Sequence, residues 1–178
     1  MYKEPYSFNI GRFMDEKRFE KIKIFAEDIP TPCLIIDLDT IRNKYLELQA
    51  TMPNYKVFYA VKANPMDEVI LLLAGLGSNF DLASRYELDQ MLRLGIEPSR
   101  LSFGNTIKKP EDIKYFHDKG VDFFATDSMI DLENLAKYAP GSKILFRILT
   151  EGTGADWPLS RKFGSHPDTI YHLILKAA

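Results

Sequence analysis

At 178 residues, 46% of them apolar and 27% charged, the chain has the size and composition of one soluble globular domain, short of the roughly 250 residues of a closed (β/α)8 barrel. A net charge of −2 gives no electrostatic footprint for nucleic acid, and no apolar run approaches the roughly 20 residues of a membrane helix. The opening lacks the basic and apolar regions of a signal peptide, so a cytoplasmic protein is expected; the lone Cys33, with no histidine nearby, excludes an intrachain disulfide and a metal site and reads as a small buried hydrophobe.

In chain order, residues 1–30 predict a loose start followed by an amphipathic helix with Phe19, Ile22 and Phe25 on its apolar side. "CLIIDLD", beginning at Cys33, predicts a strand, and a helix follows from about Thr40 with Ile41, Tyr45 and Leu48. From residue 53 onward the pattern becomes regular. "VFYAV", "NFDLAS", "RLSFGN", "VDFFATD" and "KILFRIL" end at Lys62, Ser84, Asn105, Asp127 and Leu149, a repeat of roughly 22 residues, the span of a strand, a helix and two short loops.

The helices between these strands carry their own start and stop signals. Asn64 and Pro65 form an N-cap and first-position pair ahead of Met66, Val69, Ile70 and Leu73. Ser84 and Glu87 form a capping box, Leu88, Met91 and Leu92 the buried stripe, and Gly95 the C-terminal cap. Pro110 opens a third helix with Ile113 and Phe116 inward and Gly120 at its end; Ser128 opens a fourth with Leu132, Leu135 and Ala136 inward. After Leu149 a long polar loop, "TEGTGADWPLSRKFGSHPD", leads into a helix "TIYHLILKAA".

Parallel strands joined by right-handed crossovers are the expected product. The repeat alone fits both a barrel and a doubly wound open sheet; its uniform period, and the lack of a glycine-rich phosphate loop after the first strand, favour the barrel. In either fold the chemistry belongs at the carboxyl ends of the strands, where Lys62, Asp81, Asn105, Asp127 and Arg147 fall.

Position alone leaves Lys62 with two readings: a solvated ammonium whose stem lies on apolar neighbours, or a partly desolvated amine that forms a Schiff base with an aldehyde cofactor. The surrounding motifs separate them. "FYAVKANP" (58–65), "GSNFDLASRYEL" (77–88), "LSFGNTIKKPEDI" (101–113), "FATDSMIDL" (124–132), "LFRILTEG" (145–152) and "PLSRKFG" (158–164) together resemble the fold-type III, pyridoxal-phosphate-dependent ornithine/lysine decarboxylases of the bacterial branch, in their N-terminal portion.

The resemblance implies an α/β fold, a TIM-type (β/α)8 barrel of the alanine-racemase-like kind. About the first five βα units would lie in residues 53–178, and residues 31–52 would supply a strand and helix to a second, β-domain and its link. It implies pyridoxal 5′-phosphate as cofactor, Lys62 as the catalytic Schiff-base lysine, and Asp81, Arg147 and Glu87 beside the cofactor. Glu87 is equally explained by its capping box, and Arg147 by neutralisation of buried carboxylates. Arg161 and Lys162 are loop charges, or, for Lys162, the family's dimer-contact lysine.

The implied activity is decarboxylation of ornithine and/or lysine to putrescine or cadaverine by a homodimer in polyamine synthesis. The alternatives are diaminopimelate or carboxynorspermidine decarboxylation, or a non-catalytic cofactor-binding or regulatory relative. The family's cofactor-stacking histidine motif, phosphate loop and β-domain do not match any stretch of the sequence, and His117, His166 and His172 stand in other contexts. The expectation is therefore an N-terminal portion of a decarboxylase, inactive alone.

Overall fold

A computed structural model describes residues 14–150 and 163–178. The chain divides into two compact units, one ending at Asp37 and the other running from Leu38 to Ala178.

In the first unit, helix α1 (Glu16–Ala26) is capped by Asp15, whose carboxylate accepts the Arg18 N–H at 2.9 Å. None of its residues is buried, and Phe25 on the predicted apolar side is 66% exposed. "CLIIDLD" corrects the sequence reading. It forms no strand, because ladder hydrogen bonds need a neighbour and the described residues outside the sheet offer none. Its last residues are taken instead by helix α2 (Leu38–Thr51), and Cys33 is exposed rather than buried.

The second unit begins with α2, which goes with the sheet rather than with the segment before it and buries Tyr45. Five short strands follow: β1 (Phe58–Ala60), β2 (Asn79–Leu82), β3 (Leu101–Phe103), β4 (Phe123–Thr126) and β5 (Lys143–Phe146). All pair in parallel, in the order β1-β2-β3-β4-β5, with registers such as Ala60↔Asp81, Asp81↔Ser102 and Thr126↔Phe146. Helices α3 (Asp67–Gly75), α4 (Arg85–Arg93), α5 (Pro110–Asp118) and α6 (Met129–Tyr138) make the crossovers. A doubly wound sheet reverses its strand order at a switch point; consecutive order without reversal is that of a barrel wall.

Alternation along the strands decides what faces where. Phe80, Leu82, Leu101 and Phe103 are buried under the helices with Leu88, Met91, Ile113 and Phe116, and the Phe103 ring stacks on Phe116 at 4.0 Å. Each such side chain removed from water contributes about 1.5–3 kcal/mol. The opposite parity, Phe58, Ala60, Asp81, Ser102 and Leu145, turns to the concave side. Lys62 and Arg147 extend that parity past the ends of β1 and β5.

The helix starts largely follow their signals. Ser84 and Ser128 accept the N–H groups of Glu87 and Asp131 at 3.3 Å, and Pro110 opens α5. Two differ. Asn64 and Pro65 do not start α3: the Asn64 side chain accepts the Met66 N–H at 3.1 Å in a local turn, and the helix begins at Asp67. In α6 the third inward position is Asp131 rather than Ala136, which is exposed. Helix α7 (Pro167–Ala177) starts two residues before the predicted Thr169 and packs Ile170 and Leu173 against Leu132 and Phe146.

Candidate active site

The concave face of the sheet encloses a cavity of about 830 Å³, within the roughly 300–1,000 Å³ of ligand pockets. Lys62, Asp81 and Arg147 all line it, brought from the ends of β1, β2 and β5.

Lys62 sits in a single tight turn, Val61–Ala63, that follows β1 at once. Val61 is wholly buried and anchors the turn, while the Tyr59 hydroxyl donates to the Asn64 carbonyl at 3.2 Å and closes it. Lys62 itself is exposed and lines the cavity.

Asp81 is partly buried in the cavity wall. The Ser102 hydroxyl on β3 donates to its Oδ1 at 2.7 Å, and a β-carbon on Gly104 would overlap both carboxylate oxygens. Burial pushes the Asp81 carboxyl above the usual range; the Ser102 hydrogen bond, the Lys62 and Arg147 charges and the Gly104 backbone N–H oppose that rise without cancelling it.

Arg147 extends from the end of β5 with its guanidinium 4.3 Å above the Phe163 ring. Asp127, at the end of β4, holds that neighbour in place. Its carboxylate accepts the Gly164 N–H at 2.9 Å and its carbonyl accepts the Ser165 hydroxyl at 2.5 Å. Ser165 also bonds the backbone of Arg147 and Leu149, and the positive φ of Gly164 (86°) with its Cβ position 2.8 Å from the Leu149 nitrogen leaves room for glycine alone.

Glu87 does not reach the cavity. Its carboxylate accepts at 2.5 Å the N–H of Ala83, a residue that does line the cavity. Arg161 and Lys162 lie outside the described residues. Asn105 lines the cavity as predicted for a strand end, its carbonyl accepting from Lys108.

Three contributors were not legible beforehand: Ser102, Gly104 and Lys108. The Lys108 side chain is 0% exposed, and its three N–H donors go to Asp131 Oδ2 (2.6 Å), the Ala125 carbonyl (2.6 Å) and the Asn105 carbonyl (3.0 Å). Thr126 donates to the same Asp131 oxygen at 2.6 Å, and Asp131 Oδ1 has no partner. Burial pulls the Lys108 ammonium below the usual lysine range, with Asp131 and then Asp127 opposing. In "NTIKKP" only the three-dimensional path of the loop distinguishes Lys108 from the exposed Lys109.

Fold and cavity define a barrel-type α/β domain that gathers an amine, a carboxylate and a guanidinium at the carboxyl ends of parallel strands. The model of the pyridoxal-dependent decarboxylase pyridoxal-binding domain matches residues 38–178, and the chain belongs to this family. The lysine/ornithine decarboxylase of Selenomonas ruminantium is 37% identical over 159 residues, which are 89% of this chain and 40% of that protein. The crystal structure of SrLDC in complex with PLP and cadaverine has a TM-score of 0.79 at 35% identity, over 92% of this chain and 40% of that one. The lysine/ornithine decarboxylase of Vibrio vulnificus, complexed with putrescine, has a TM-score of 0.79 at 27% identity, over 92% and 43%. The chain thus spans between 40% and 43% of the length of these relatives. Among the described residues no helix is long and apolar enough to cross a membrane.

Proposed function

We propose that this segment forms the cofactor-binding side of a pyridoxal-phosphate-dependent decarboxylase acting on ornithine and/or lysine. The observation that carries the reading is the convergence of Lys62, Asp81 and Arg147 in one cavity. The Asp81 seat, which only a glycine at position 104 leaves open, fits a carboxylate held for work beside an amine. When bound, pyridoxal phosphate would supply an aldehyde for amino groups and a ring that takes up the electron pair left behind as carbon dioxide departs.

The chain's own residues have narrower tasks. Lys62 offers the amine that holds the cofactor and yields to the substrate's amine. Asp81 draws in the substrate ammonium and takes its proton, which frees the nitrogen lone pair. Arg147, fixed by Phe163, adds a positive charge beside Lys62, so the site favours an anionic ligand group. The apolar wall of Phe58, Phe123 and Leu145 excludes water from one side.

The reading includes putrescine or cadaverine as product for polyamine supply, a cytoplasmic location and a homodimeric active form. It takes residues 31–52 as the contribution to a second, β-domain and its link, after an N-terminal extension of residues 1–30. The diamines held by the related structures support the substrate class.

The test is an assay of purified full-length protein with pyridoxal phosphate and, in turn, ornithine, lysine and diaminopimelate, with chromatographic detection of the amine. Putrescine or cadaverine is expected, and Lys62→Ala is expected to lose about a thousandfold or more. Product from diaminopimelate alone would move the substrate assignment. Cofactor bound without any amine released would replace the enzyme by a carrier, and no bound cofactor would leave a regulatory relative.

A further inference from the structure

Asp81 carries the heaviest burden in the cavity, since a partly buried carboxylate must be held in one orientation at the cost of its hydration. The strand beside it supplies that hold. Ser102, buried on β3 and paired in register with Asp81 on β2, turns its hydroxyl to Oδ1 at 2.7 Å. Two residues on, Gly104 leaves the volume the carboxylate occupies: any β-carbon there would overlap Oδ1, Oδ2 and Cγ. The Gly104 N–H also donates to the Leu82 carbonyl at 3.0 Å, which ties the glycine to β2 beside the carboxylate.

We propose that Ser102 is a positioning residue that, with Gly104, seats the Asp81 carboxylate on the cavity wall in its working orientation. Its catalytic consequence rests on the decarboxylase reading; the seat itself does not. The charged groups acting on Asp81 are Lys62 from the end of β1 and Arg147 from the end of β5, and both favour the carboxylate as Ser102 does. Loss of the Ser102 donor therefore makes Asp81 harder to ionise, whereas a defect of packing alone would leave its titration where it was.

The experiment compares Ser102→Ala and Ser102→Thr with the wild type in the full-length protein. Carboxyl NMR of Asp81 in the cofactor-free protein, assigned by the signal that Asp81→Asn removes, is expected to titrate about one pH unit higher in Ser102→Ala. Ser102→Thr, which keeps the hydroxyl, is expected to titrate as the wild type. In the holoprotein the acid limb of kcat/KM moves up in Ser102→Ala by a similar amount, so the loss is largest on the acid side and shrinks toward the plateau. In a Gly104→Ala background, where the carboxylate is already displaced, Ser102→Ala is expected to add nothing. An Asp81 titration that does not move in Ser102→Ala overturns the proposal, as does a loss of rate equal at every pH. A wild type without cofactor on Lys62 defeats the decarboxylase reading while the NMR titration still decides the seat.

Discussion

At the scale of single residues, the site is a contest between burial and charge, and Asp81 shows which side wins. Burial raises its carboxyl pKa further than Ser102, Lys62, Arg147 and Gly104 together lower it. A folded value above the unfolded one means that the folded state binds the proton more tightly. The stabilisation from Asp81 is complete below the unfolded carboxylate range and is lost as pH rises through the folded value. Asp81→Asn, an isostere that still accepts from Ser102, is therefore expected to raise the melting temperature at pH 7 and to change it little at pH 3, as scanning calorimetry would record. Lower stability of Asp81→Asn at pH 7 would mean that attraction to Lys62 and Arg147 outweighs burial. The placement of Lys62 and Asp81 on the cavity was legible in the sequence because each lies near a strand's carboxyl end inside a motif that fixes its neighbours. That of Ser102 and Gly104 was not, because nothing in "RLSFGN" says that the strand beside it carries a carboxylate in register.

At the scale of elements, the Lys108–Asp131 pair ties the loop after β3 to β4 and α6. Its ammonium is saturated by Asp131, Ala125 and Asn105, and two of those three also line the cavity. A buried pair of this kind adds little net stability over a well-packed apolar pair, but removing one partner strands a charge. Asp131→Ala is expected to destabilise by about 3–5 kcal/mol in urea unfolding, and Lys108→Met combined with Asp131→Leu to recover most of it. Equal losses in the single and double variants would contradict the pairing. Local rules carried most of the helix starts: Ser84, Pro110 and Ser128 act as their residue types predict. They failed at Asn64, where the side chain satisfies a turn before the helix begins, and at Asp131. There the inward positions read as Leu132, Leu135 and Ala136, but Lys108 draws the Asp131 carboxylate inward and Ala136 is left exposed.

At the scale of the whole chain, the even repeat foretold consecutive parallel strands because equal strand–helix units pack equally along a sheet. The segment from Cys33 could not be read in the same way. A strand is defined by the neighbour it bonds, and its hydrophobic run says nothing of where that neighbour is; here α2 claims its end. The repeat likewise placed the cavity at the carboxyl ends of the strands, and parity along β1 and β5 then carried Lys62 and Arg147 into it.

The central claim is that Lys62 is the amine that holds the cofactor. It is tested most directly by borohydride reduction of the purified protein equilibrated with pyridoxal phosphate, followed by intact-mass measurement and peptide mapping. A single pyridoxyl adduct on Lys62, absent in Lys62→Arg, is the result predicted. Reduction that leaves the Lys62 peptide unmodified, or that marks another lysine in its place, would contradict the account.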